Sequence, residues 1–320
     1  MAEAPTAVDG AAGTVRFGTA GWSYPDWMGT FYPSAAPRSF KPLVYYARFF
    51  DLVEINSSFY AIPSQRMARG WVDQVSDNPD FVFSAKLWRG FTHERGSASR
   101  GDARQVCAAL DILAAAGRLA ALLLQFPWSF KSGADNRAYL DKLFDAFGAF
   151  PLVLELRHRS WLESAILDWL RERRIGFCNV DQPTISGGIE PSAEVTGPVG
   201  YVRLHGRNYE NWFRDADAKD RGSAGARYDY LYSAQELMPW AARIQSLMAR
   251  TRLSLVIANN HPRGQAAANA LELKKLITGA PIDAPAPLRE TFPHLAALAA
   301  PAAGRSPAEL EPNSVKGTKP

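Results

Sequence analysis

The chain has 320 residues, 47% of them hydrophobic, with two cysteines and a formal net charge of +4. That length and apolar share can bury a large core without disulfides or structural metal, which excludes a stapled mini-domain and points to one globular domain with tails. No apolar run reaches the roughly 18 residues of a membrane span, and the start lacks the basic and apolar stretches of a signal peptide, so no membrane partner is expected.

Eight short apolar runs of β type follow one another, and most end on a polar or charged residue. They are VRFGTAGW (Val15 to Trp22), LVEIN (to Asn56), FVFSAK (to Lys86), LAALLLQF (with Gln125), LVLELRH (with Glu155 and Arg157), GFCNVD (to Asp181), YVRLHG (with Arg203 and His205) and LSLVIANNH (with Asn259 and His261). Side chains alternate across a strand, so Glu54 with Asn56, Ser84 with Lys86, Glu155 with Arg157, Asn179 with Asp181, and Arg203 with His205 share faces pairwise. Between the runs lie segments whose apolar spacing is near three and four, such as Pro42 to Phe50, Ala103 to Gly117, Tyr139 to Phe147, Glu163 to Arg173 and Ala234 to Ala249.

Strand and helix repeated eight times over about 250 residues predict an α/β fold, a TIM-type (β/α)8 barrel whose strands are buried on both faces. A doubly wound open sheet would gather its function at one switch point behind a glycine fingerprint; Gly18 and Gly21 do not supply one. Asp181 to Gly200 is rich in Pro, Gly and Ser, so the sixth crossover helix is expected to be missing or vestigial. The barrel is placed at 15–280, between a disordered tail at 1–14 and an Ala/Pro-rich, loosely ordered tail at 281–320. Cys107 and Cys178 sit in a helix and a strand pattern without a CxxC pair. A reduced, cytoplasmic protein with inert thiols is expected.

TAGWSY, VEINSSFY, FVFSAK, LLLQFPWSF, LVLELRHRSW, YVRLHGRN, RYDYLYS and NNHPRGQAAANA occur in this order. Together they resemble the YecE-like family, a domain of unknown function (DUF72), over about Val15 to Ile277. The resemblance implies a TIM-type barrel with its polar cluster at the C-terminal mouth, and it implies no reaction. Trp128 stands where the family commonly has a second proline.

Barrel enzymes carry their chemistry at the C-terminal ends of the strands. Glu54, Glu155 and Asp181 offer carboxylates there, and Lys86, Arg157 and Arg203 offer cations, with charges that nearly cancel. A buried ion-pair network closing the barrel is the bland alternative. His205 shares a face with Arg203 and can titrate near neutrality, so Glu54, Lys86, Glu155, Asp181 and His205 are the candidate catalytic groups. Asn56, Gln125 and Asn259 are candidate orienting groups. Arg157, Arg203 and Lys86, with Arg263 and Gly264 where the last helix begins, are expected to bind an anion, either phosphate or carboxylate. Trp22 and Tyr60 join them among the aromatics after the strands, which suit stacking. Gly206 to Tyr232 has the length of a lid.

Glu155, Asp181 and His205 are also conceivable zinc or manganese ligands, but neighbouring cations would repel a dication, and neither a metal nor another cofactor is expected. The leading expectation is an enzyme of hydrolase or lyase type using acid/base chemistry on a small polar, anionic substrate. Lys86 could also form a Schiff base. The alternatives are a nucleic-acid-processing protein resembling apurinic-site endonucleases, disfavoured because no basic stripe interleaved with aromatics is found, and a non-catalytic ligand-binding barrel.

Overall fold

Each of the eight apolar runs contributes a strand, and the strands pair in chain order until the last meets the first. They are β1 (Thr14–Ala20), β2 (Leu52–Ile55), β3 (Val82–Lys86), β4 (Leu119–Gln125), β5 (Leu152–Glu155), β6 (Gly176–Asp181), β7 (Val199–Leu204) and β8 (Leu253–Ala258). All pairings are parallel, and β1 is bonded to both β2 and β8, which closes the barrel and leaves no sheet edge. The computed structural model describes residues 13–212 and 223–298.

Around the barrel lie α1 (Pro42–Tyr46), α2 (Gln65–Gln74), α3 (Arg89–Thr92), α4 (Arg100–Ala115), α5 (Ala134–Phe147), α6 (Ser164–Glu172), α7 (Ala234–Met248), α8 (Gln265–Thr278) and α9 (Ala286–Thr291). Capping explains where two of the longest begin. Ser99 accepts from the backbone N–H of Asp102 while Asp102 accepts from that of Ser99, and Ser233 and Glu236 repeat this reciprocal pair at the start of α7. The first part of α8, Gln265 to Leu273, is buried all round, and Ala266, Ala267, Ala268 and Ala270 keep it thin enough to lie close to the barrel wall.

No helix joins β6 to β7. The cause is visible on the outer face of β6, where a packed helix would require an apolar side chain. Asn179 stands there instead. Its Oδ1 accepts from Ser192 Oγ and from the Glu194 N–H, both at 2.7 Å, and its Nδ2 donates to the Glu194 carbonyl at 3.0 Å. One carboxamide thus satisfies an irregular segment laid where the sixth helix would be.

The expected loose C-terminal tail starts too early at 281. Residues 282–298 pack on the barrel through buried Ile282, Leu288 and Leu295, and α9 lies within them. The remainder of that tail, 299–320, lies outside the described residues, as does 1–12 at the other end. No helix of the described residues is long and apolar enough to cross a membrane.

Candidate active site

Alternation along the strands aims one set of polar side chains into the top of the barrel. On β7 and the residue that follows it the inward set is Tyr201, Arg203 and His205, because Val202 and Leu204 join the apolar layer under α7. The same phase brings in Glu54 on β2 and Asn56 just after it, Ser84 and Lys86 on β3, Gln125 on β4, Glu155 on β5 and Arg157 just beyond it, and Asn259 after β8.

Arg203 is the hub. Its fully buried guanidinium donates to Glu54 Oε1 at 2.7 Å, to Gln125 Oε1 at 3.1 Å and to Glu155 Oε2. Tyr201 donates to the other Glu54 oxygen at 2.9 Å, and Ser84 Oγ lies 2.7 Å from the same phenol. Glu155 Oε1 accepts from Arg157 Nε and Nη2 at 3.0 and 2.7 Å, with His205 Nε2 at 3.2 Å. Burial pushes the Glu155 carboxyl up, but Arg203, Arg157 and His205 outweigh it and hold the carboxyl well below the usual range. The imidazole of His205 is pushed down to about 3, first by burial and then by the two guanidiniums, against the pull of Glu155. It is therefore neutral, with Nε2 3.2 Å from Glu155 Oε1 and 3.3 Å from Arg157 Nη2, and Nδ1 2.9 Å from Asn259 Nδ2; a proton assigned to Nε2 serves Glu155 and leaves Nδ1 to accept from Asn259. Trp212 and Tyr228 stand 6.3 and 6.2 Å from it, ring to ring, as part of a roof.

Lys86 differs from the two arginines in having no carboxylate partner among the described residues. Its Nζ donates to Asn56 Oδ1 at 3.2 Å and lies 4.7 Å from the Phe59 ring centroid. Burial, and then the charge of Arg203, push its amine down to about 7 against the opposing pull of Glu54 and Glu155. Three cations here face two carboxylates, so the mouth is positive by one unit when Lys86 is protonated and neutral when it is not.

Asp181 does not join this cluster, contrary to expectation. It lies on the outer face of β6 with Asn179, where it accepts from Arg207 Nε and Nη2 at 2.9 and 2.7 Å and from Trp240 Nε1 of α7. Cys178 and Val180 occupy the inward positions instead. The metal-ligand set Glu155, Asp181 and His205 is thereby split across two faces.

Arg263 and Gly264 also depart from expectation. The Arg263 guanidinium is two-thirds exposed and pairs with Asp229 at 2.6 Å, while its backbone N–H donates to Asp26 at 2.6 Å. Gly264, at a φ of 77°, donates its N–H to the His261 carbonyl. The chain's own Asp26 and Asp229 thus hold the place assigned to an external anion. Trp22 leans edge-on against Trp71 of α2, whereas Tyr60 is exposed beside Phe59.

Other participants carried weaker signals in the sequence. Tyr201 could have been found by stepping two residues back from Arg203. Arg207 and Trp240, which hold Asp181, had no such cue. The expected lid is described only at its stems, where Asn208 Nδ2 donates to the carbonyls of Ala226 and Asp229 at 3.0 and 3.1 Å; 213–222 lie outside the described residues.

A family model described as "Protein of unknown function DUF72" matches residues 16–291. The UPF0759 protein YunF of Bacillus subtilis (strain 168) is 29% identical over 274 residues, which cover 82% of this chain and 94% of that protein. A DUF72 crystal structure from Thermotoga maritima MSB8 is 33% identical, with a TM-score of 0.70 over 82% of this chain and 98% of its own. One from Enterococcus faecalis V583 is 26% identical with a TM-score of 0.70, covering 84% and 97%. With the same barrel and a match across most of its length, the chain belongs to the DUF72 family of proteins of unknown function.

Proposed function

We propose that this barrel is an enzyme performing acid/base chemistry of hydrolase or lyase type on a small polar, anionic substrate held at its mouth. The observation that carries the reading is Lys86. It is buried at a strand's C-terminal end, it lacks a carboxylate partner among the described residues, and burial beside Arg203 pushes its amine down to about 7. As an ammonium it supplies the one positive charge that the mouth does not neutralise, which favours an anion. As a free amine it accepts a proton, and a group poised near the working pH does this most effectively. Arg157, at the cluster's edge, and the neutral amides of Asn56 and Gln125 are the groups placed to orient the ligand. Arg203, His205 and Glu54, fully buried and bonded to one another or to Glu155, hold the geometry.

Thermal melting in phosphate, sulfate or acetate against matched chloride tests this reading. The wild type is expected to gain melting temperature with anion concentration, and Lys86→Met to lose most of that gain. An equal response in both proteins would remove Lys86 from the anion's surroundings and overturn the proposal.

A further inference from the structure

We infer that Lys86 is a covalent anchor, forming an imine with a small carbonyl compound that carries a carboxylate or phosphate. This rests on the acid/base reading above and deepens it by naming the bond and the substrate class. The side chain is held for such a role. Ser58 Oγ lies 2.7 Å from the carbonyls of both Lys86 and Ile55 and accepts from the Lys86 N–H at 3.1 Å, which ties the end of β3 to the end of β2. The amine then rests between the Asn56 amide oxygen and the Phe59 ring, an acceptor and a π-face, and neither fixes a full positive charge as a carboxylate would.

The charged and titratable groups around it come from several elements. They are Glu54 on β2, Glu155 and Arg157 at the end of β5, Arg203 on β7, Arg89 on α3, which shares the Phe59 ring, and His93 after α3. His93 is itself pushed down to about 4 by burial and by Lys86, so it adds no charge at neutral pH. Because burial and Arg203 set the amine near 7, its uncharged fraction there is roughly a thousandfold that of an ordinary lysine. A lone pair is what a carbonyl carbon needs.

The step balances without a redox partner. The nitrogen lone pair forms the N–C bond as the carbonyl π pair moves to oxygen; the oxygen then leaves as water with two protons from nitrogen, and C=N remains. Counted from ammonium to protonated iminium, no net proton is gained or lost. The iminium keeps its positive charge beside Arg157 and Arg203. A carboxylate or phosphate on the bound compound offsets that repulsion, which is why an anionic carbonyl is favoured over a neutral one.

The test treats the full chain with pyruvate, dihydroxyacetone phosphate or acetone, reduces with sodium cyanoborohydride, and locates adducts by peptide mass mapping. Lys86 is expected to carry the adduct at least about tenfold more than exposed Lys131, given its larger uncharged fraction. The two anionic compounds are expected to label at lower concentration than acetone, and whichever of them labels lower identifies the anionic group. Lys86→Met is expected to show only the background on other lysines. Lys86 labelled no more than Lys131 overturns the imine, and equal labelling by acetone overturns the anionic class. The amine's titration in the same sample separates the two levels. A midpoint near 7 without an adduct removes the imine and leaves acid/base chemistry standing, whereas a midpoint near 10.5 removes both.

Discussion

Replacing Arg203 with methionine removes the hub of the mouth while keeping a long apolar side chain. In the wild type the guanidinium bonds Glu54 and Glu155 at once, and all three side chains are fully buried. Breaking a buried pair from one side leaves an uncompensated charge, at a cost of about 3–5 kcal/mol. Two carboxylates are exposed to that cost here, but Glu155 keeps Arg157 at 2.7 Å, so the expected loss at pH 8 is about 4 kcal/mol rather than twice that. The pH dependence carries the stronger signature. With Arg203 present, the depressed Glu155 carboxyl adds stability above its ordinary value of 4.5, lost as pH falls through the lower folded value. Without Arg203 the burial that pushes the Glu155 carboxyl up is opposed less, so its proton uptake moves to higher pH than in the wild type and the damage is greatest at high pH and shrinks toward acid. Urea denaturation of both proteins at pH 8 and pH 5.5 measures this. A loss under about 1 kcal/mol, or one that does not shrink toward acid, would refute the view that Arg203 holds two ionised carboxylates.

Asp181→Asn should cost about 1–3 kcal/mol in urea denaturation, because it removes the charge facing Arg207 and Trp240, yet leave the anion response intact. A response lost as fully as in Lys86→Met would place Asp181 in the mouth after all. Arg263→Ala, breaking an exposed pair, should cost less than about 1 kcal/mol and leave anion stabilisation unchanged; abolished anion stabilisation would restore the helix-terminus site. Acid should weaken the wild type well before the carboxylates protonate. His205 is pushed down to about 3 from 6.5, so the unfolded chain takes up its proton first and stability falls as pH drops below 6.5. By pH 5 this histidine alone should cost about 2 kcal/mol, and a His205→Gln protein showing the same acid slope would contradict the assignment.

Where a strand end is polar on one face and apolar on the other, its orientation was readable from alternation. YVRLHG and LVEIN are of this kind, and the inward placement of Arg203, His205, Glu54 and Asn56 follows from them. GFCNVD is polar on one face as well, but that face is the outer one, left without a crossover helix to cover it, and there the same rule put Asp181 on the wrong side. The missing helix was legible in the Pro, Gly and Ser of 182–198. Its consequence for the phase of β6 was not, since Arg207 and Trp240 lie 26 and 59 positions away in sequence. Composition misled again at 281–298, where Ala and Pro masked Ile282, Leu288 and Leu295 at spacings that bury one face. The anion corner failed for a related reason: a basic residue before a helix is visible in sequence, whereas the aspartates that neutralise it come from distant loops.

The reading of the mouth stands or falls on Lys86 changing charge near neutral pH. Competitive labelling of amines across pH, with Lys86 read by peptide mass, measures its titration directly. A midpoint near 7 is expected, moving upward when phosphate or acetate occupies the mouth. A midpoint near 10.5, unmoved by either anion, would contradict it.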